Sequence, residues 1–265
     1  MMDAQVRERV QTLPKVGELF DKNRNVTSFS LPFDLTGYAV SDPGTVFDEA
    51  TRDAVYAALV PVTTWSFGAD MTPYWAGRRQ QGYFARLAEF IAVADGDDRM
   101  VGWTGYSHLR KNGYANVYID SSGMIPPYQG KGIMRAIWST RLSGHAFQRF
   151  AGVGELYVSA RSESPVLYKL LRAIPGVSQL YPNTRAGIPP HVLACGRELA
   201  SWLGQADLLQ QDSLTLKGAY AALDALYGEL PSTGDASLDQ LFRAQLGPLD
   251  AFLLVGEVNS RAATH

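Results

Sequence analysis

A chain of 265 residues, 46% of them apolar, can bury a full core, and a formal charge of −2 with Lys and Arg scattered along it speaks against nucleic acid and anionic membrane as partners. The lone Cys195 excludes an internal disulfide. The N-terminal stretch has no apolar signal core and no apolar run is long enough to cross a bilayer, so a soluble protein of a reducing cytoplasm is expected.

In chain order, residues 3–12 have helical spacing, and 23–36 reads as irregular or extended chain carrying Phe29, Leu31 and Phe33. Ala50, Ala54, Ala57 and Ala58 predict a helix over 48–60. Residues 61–82 are rich in aromatics and breakers: Trp65, Phe67, Tyr74 and Trp75, then Arg78 and Arg79, which as paired surface arginines are expected to be solvated. A strand over 89–95, a turn at Asp95-Gly-Asp-Asp, a strand over 99–109 and a turn at Arg110-Lys-Asn-Gly lead to a third strand over 114–121. An even-length loop there would place Trp103, Gly105 and Ser107 on the side of Asn116, Tyr118 and Asp120, with Tyr106 and His108 opposite.

The most informative stretch is Met-Ile-Pro-Pro-Tyr-Gln-Gly-Lys-Gly-Ile-Met at 124–134, an extended run that passes through a glycine turn into an amphipathic helix. Such a turn aims unpaired backbone N–H groups and the positive end of a helix dipole at its contents, and suits a phosphate or diphosphate. A nucleotide P-loop fails here, because Ile125 stands where its first glycine belongs and Gly132 where it needs Ser or Thr. The dinucleotide fingerprint is a weak match, since Arg135 stands where its third Gly or Ala belongs. A glycine-containing strand-to-helix connection with no ligand is the plainest alternative.

The helix after the turn is predicted to reach about residue 150, with Ile133, Ile137, Thr140, Gly144 and Phe147 on one face and His145 on the polar side. A strand over 155–161 completes a βαβ unit and should be the parallel neighbour of the strand over 114–121. Ser164 can cap a helix whose first turn holds Pro165, and its apolar face of Val166, Leu167, Leu170, Leu171 and Ile174 leaves Tyr168 at the margin. A breaker-rich link over 182–190 precedes a helical face of Val192, Cys195, Leu199 and Trp202, on which Cys195 reads as a packed small residue. Further helices are predicted over 216–227 and 238–246. The apolar run 251–255 either returns to the sheet or belongs to a helical cap.

The segment Pro126-Pro-Tyr-Gln-Gly-Lys-Gly-Ile resembles the acetyl-CoA loop of the GNAT acetyltransferase superfamily, with Gln129 and Gly132 at matching positions and Met134 where a small residue is usual. The helix with Tyr168 resembles the one that carries this superfamily's general acid, Ser164 standing where an Asn is common. The resemblance implies an α/β (α+β) GNAT fold: a mixed, mostly antiparallel central sheet flanked by helices, with a core and N-terminal extension over 1–180 and a mainly helical C-terminal extension over 181–265. It implies acetyl-CoA as cofactor, held by Met124, Ile125, Gln129, Gly130, Lys131, Gly132, Ile133, Met134 and Ser164, and no metal. Backbone N–H at Met124 or Ile125 would polarise the thioester carbonyl, Tyr168 would protonate the departing sulfur and Asp120 is the candidate base. The acceptor would be a small-molecule or peptide amine, and selectivity would lie in residues 61–82. Those aromatics could equally form a core or a subunit contact, the latter making a homodimer. Transfer of another acyl group, a hydroxyl or thiol acceptor, and a non-catalytic CoA-binding module stay open as alternatives.

Overall fold

The computed structural model describes residues 3–20, 25–111, 113–142, 147, 149–150, 153–183, 187–210 and 212–259, and these form two compact units. The first takes residues 1–108 and 119–137, the second residues 109–118 and 138–265.

In the first unit, helices α1 (Ala4–Gln11) and α2 (Val16–Phe20) precede strands β1 (Val26–Leu31) and β2 (Leu35–Ser41). The span read as irregular or extended chain is thus a hairpin, closed by the pairing of Leu31 with Leu35. Helices α3 (Pro43–Val46), α4 (Glu49–Phe67), α5 (Thr72–Gln80) and α6 (Tyr83–Arg86) lead to β3 (Glu89–Ala94), β4 (Met100–Lys111) and β5 (Tyr114–Met124). The strand order is β1-β2-β3-β4-β5, antiparallel from β1 to β4. Every residue of β3 is buried, as in a strand covered on both faces. The Phe47, Phe84 and Phe90 rings meet edge to face at 5.2 to 6.4 Å between centroids.

Asp48 caps α4 by accepting the Thr51 N–H at 2.7 Å, which agrees with the predicted start. The helix does not stop before Pro61; it runs on to Phe67 and ends at Gly68, whose φ is +71°. Proline removes one N–H from the ladder, but the fully buried Val55, Leu59 and Val62 carry the packed face past it. Thr63 then accepts the Trp75 indole N–H at 2.9 Å and fastens α5 to α4.

The second unit continues with the end of α7 (Ile133–Arg141), then β6 (Glu155–Ser162), α8 (Pro165–Arg172), β7 (Val177–Tyr181) and α9 (Pro190–Trp202). Short strands β8 (Leu209–Gln210) and β9 (Thr215–Leu216), α10 (Ala236–Gln245) and β10 (Ala251–Val258) complete it. Helix α7 ends at Arg141, short of residue 150, and the predicted positions of Gly144 and His145 lie outside the described residues. The strand order here is β5-β6-β10-β9-β8, so β6 is the neighbour of β5 as expected, and β7 also pairs with β10. Val255 pairs with Ser159 on one edge and Tyr181 on the other, which makes β10 an interior, antiparallel strand. Of the two readings of 251–255, return to the sheet is the observed one.

The helix predicted over 216–227 is absent. Gly218 takes a φ of +63°, its N–H donates to the Asp250 carboxylate at 2.8 Å, and the Tyr220 N–H donates to the Leu249 carbonyl at 2.9 Å. Ala219, Tyr220, Leu223 and Leu226 are buried all the same, so the apolar spacing marks burial in a turn-rich segment rather than a helix. Among the described residues no helix is long and apolar enough to cross a membrane.

Candidate active site

The glycine turn belongs to the first unit. At the end of β5 the Ile125 N–H donates to the Val101 carbonyl at 2.9 Å, so of the two expected carbonyl-polarising donors Ile125 is already engaged. Pro126–Tyr128 form a single 3₁₀ turn. The Gln129 side-chain amide folds back and donates to the Met124 carbonyl at 2.8 Å and the Ser66 carbonyl at 3.0 Å. Gln129 therefore shapes the turn instead of offering its amide to a ligand. Gly130 and Gly132 have φ of +70° and +75°, values that favour glycine, and a Cβ on Gly130 would meet no atom within 4 Å.

The first helical bond of α7 runs from the Ala136 N–H to the Gly132 carbonyl at 2.9 Å. The N–H groups of Ile133, Met134 and Arg135 consequently have no acceptor inside the helix. Ile133 and Met134 are buried at 1% and 7% exposure, whereas Gly130 and Lys131 are exposed, so the bulky Met134 side chain packs inward from the open part of the turn. Open space at Gly130, adjacent helix-start donors and the Lys131 ammonium fit the diphosphate of a CoA thioester.

Asp120 lies in the same unit, in a buried ion pair with Arg78. This corrects the expectation that Arg78 is solvated: it is 5% exposed, with its guanidinium 4.7 Å from the centroid of the Tyr83 ring. The Tyr83 hydroxyl sits over Gly105, where a Cβ would come within 2.7 Å of it. Burial first, and the Asp120 charge second, push the Tyr83 phenol well above its ordinary range, with Arg78 pulling the other way. Asp120 thus lies on the Gly105 side, as expected. Trp103, two residues from Gly105 and on the same face, donates to the Ser121 hydroxyl at 3.0 Å.

The phenol belongs to the second unit. Pro165 opens α8 as predicted, but Ser164 makes no side-chain cap; its N–H donates to the Ser162 hydroxyl at 2.9 Å. Tyr168 is not at the margin of the helix but on its buried face, in line with Pro165 and Leu171. Its hydroxyl donates to the Leu180 carbonyl at 3.2 Å and its ring meets Phe242 edge to face. Burial raises its pKa against the pull of Arg172, so the phenol holds its proton at neutral pH.

Sequence reading missed Glu163, between Ser162 and Ser164. It is half-buried and has no hydrogen-bond or ion-pair partner among the described residues. Burial, then the Asp250 charge, push its carboxyl up to about 7. Nothing in the local Ser-Glu-Ser-Pro run signals this, because both causes are tertiary. Cys195 behaves as expected: it is buried, and burial ahead of Glu155 and Glu198 pushes its thiol up to about 12, which keeps it protonated.

Residues 52–170 match the model of the acetyltransferase (GNAT) family. Among solved structures, the chain is similar to a ribosomal-protein-S5-alanine acetyltransferase from Vibrio fischeri, at 17% identity over 58% of this chain and 85% of that one, with a TM-score of 0.36. It is also similar to the family member YhbS from Escherichia coli in complex with CoA, at 16% identity over 55% and 66% of the two chains, with a TM-score of 0.30. A third likeness is to a histone acetyltransferase HPA2 and related acetyltransferase from Corynebacterium glutamicum, at 13% identity over 57% and 91%, with a TM-score of 0.34. No curated protein matches the chain.

Proposed function

This chain belongs to the GNAT acetyltransferase superfamily and is an acyl-CoA-dependent acyltransferase, and from that premise we propose that it moves an acetyl group from acetyl-CoA to the amine of a small molecule or peptide by direct attack. The observation that carries the cofactor half of this reading is the turn at Gly130–Gly132, open to solvent and followed by helix-start donors. When bound, acetyl-CoA supplies an acyl group already activated as a thioester.

The chain's own residues supply the rest. Backbone N–H groups at the start of α7, with Lys131, hold the diphosphate, and Gln129 keeps the turn in shape. Of the two candidate carbonyl donors, the engagement of Ile125 with Val101 leaves Met124. An alkylamine with a pKa near 10.4 is neutral in only about one molecule per thousand at pH 7, so its attack is helped by a proton acceptor. Asp120 is one candidate, though it must part from Arg78 to serve. Glu163 is the other, favoured by a carboxyl poised near neutrality and bound to no partner among the described residues. As the N–C bond forms and the C–S bond breaks, the amine proton passes to the carboxylate and Tyr168 returns one to the sulfur.

Release of CoA thiol in the presence of an amine panel, with mass spectrometry of the product, tests the reaction and identifies the acceptor atom. Thiol released without an acylated amine contradicts it. Gly132→Asp should abolish acetyl-CoA binding in titration calorimetry, because it sets a carboxylate and a side chain at a positive-φ position against the diphosphate. Normal affinity in that variant removes the turn from the cofactor site.

A further inference from the structure

The β1–β2 hairpin turns on Pro32, Phe33 and Asp34. Phe33 and Asp34 both take positive φ, 66° and 54°, a conformation in which Asn or Gly would close a hairpin without strain and a bulky aromatic is an outlier. The Phe33 ring is also 56% exposed, one of only two large apolar side chains so exposed among the described residues. Neither the turn nor the core accounts for a phenyl ring held in water on strained backbone. Backbone strain of this kind gathers where a ligand is clamped.

What lies beside the ring points to the ligand. The Lys131 ammonium is 5.4 Å from the Phe33 centroid and 5.2 Å from that of Tyr128, and Lys131 is the residue between the two glycines of the diphosphate turn. A hairpin tip far away in sequence thus brings a flat, exposed apolar face next to the cation of that turn. Flat apolar ring beside positive charge is the chemistry that takes a nucleobase and its phosphates.

We infer that Phe33 is the seat for the adenine of acyl-CoA, with Lys131 pairing a phosphate of the same nucleotide. The inference rests on the cofactor reading above and adds to it a residue outside the segment that carries the family resemblance. Because the rings already hold the ammonium in place, little side-chain freedom is left to lose when the nucleotide arrives.

Titration calorimetry on the full chain separates the two claims. Acetyl-CoA and acetyl-pantetheine, which lacks the adenine nucleotide, are each titrated into wild type, Phe33→Ala and Phe33→Trp, with thermal melting alongside. Phe33→Ala should weaken acetyl-CoA roughly five- to 150-fold, the range for loss of one base-stacking platform, and leave acetyl-pantetheine affinity and the melting midpoint unmoved. Phe33→Trp should restore acetyl-CoA affinity to within about twofold of wild type. Wild-type binding of acetyl-CoA with an unmoved Phe33→Ala value overturns the adenine seat alone, as does an equal loss for both ligands. A wild-type chain that binds neither overturns the cofactor reading and the seat with it.

Discussion

Tyr168 and Glu163 lie five residues apart in sequence, and burial raises the pKa of both, with a different consequence for each. On the phenol it secures the proton that a general acid must hold; on the carboxyl it brings the ionisation to neutrality, where a general base works best. Tyr168→Phe should lower turnover roughly 10²-fold or more with acetyl-CoA affinity nearly unchanged, and an unaltered rate takes the residue out of the mechanism. The variant also removes the phenol's hydrogen bond to the Leu180 carbonyl, which keeps the longer one from the Asn183 side-chain amide at 3.4 Å, at a cost of about 1 kcal/mol in stability.

For Glu163 the sign of the pH effect is fixed by the direction of its shift. A base acts when deprotonated, so kcat/KM should rise with pH through an apparent pKa of about 7 and then level. Glu163→Gln should remove that limb, whereas Asp120→Asn should keep it. A limb that survives Glu163→Gln and vanishes with Asp120→Asn returns the role to Asp120. Stability moves the other way: the folded state binds the Glu163 proton more tightly than the unfolded chain, so this contribution is full below about 4.5 and is lost as pH rises through about 7. The substituted amide abolishes it.

Among the elements, β10 shows most clearly how a local pattern acquires its meaning from partners. Its apolar run is legible as a strand, but that both edges are paired depends on β6, β7 and β9. Gly256 sits where the packing is closest: a Cβ there would come within 3.1 Å of a Val158 methyl and 3.3 Å of methyls on Leu180 and Val177. Gly256→Val should therefore destabilise the fold by at least ~1–3 kcal/mol, read as a lower urea midpoint at unchanged slope. An unchanged midpoint would mean that this strand is not packed between those neighbours. The same dependence explains two misread elements. Helix α4 passes Pro61 because its buried face continues beyond it, and the segment over 216–227 turns where Asp250 takes its backbone donors.

For the molecule as a whole, the sequence by itself determined what rests on near neighbours in the chain: the hairpin of β4 and β5, the glycine turn into α7, the proline-led start of α8 and the apolar run of β10. These follow from φ preferences, side-chain periodicity and helix-end donors, all of which act over a few residues. They were enough to carry the resemblance to the superfamily, because a glycine turn and its helix-start donors are features of the local backbone. Tertiary structure alone decided which charges meet and which ring stands where. It buried Arg78 against Asp120, half-buried Glu163 within reach of the Asp250 charge, and set Phe33 next to Lys131, some hundred residues away. Burial and through-space charge have no period along the chain, so no spacing of residue types announces them.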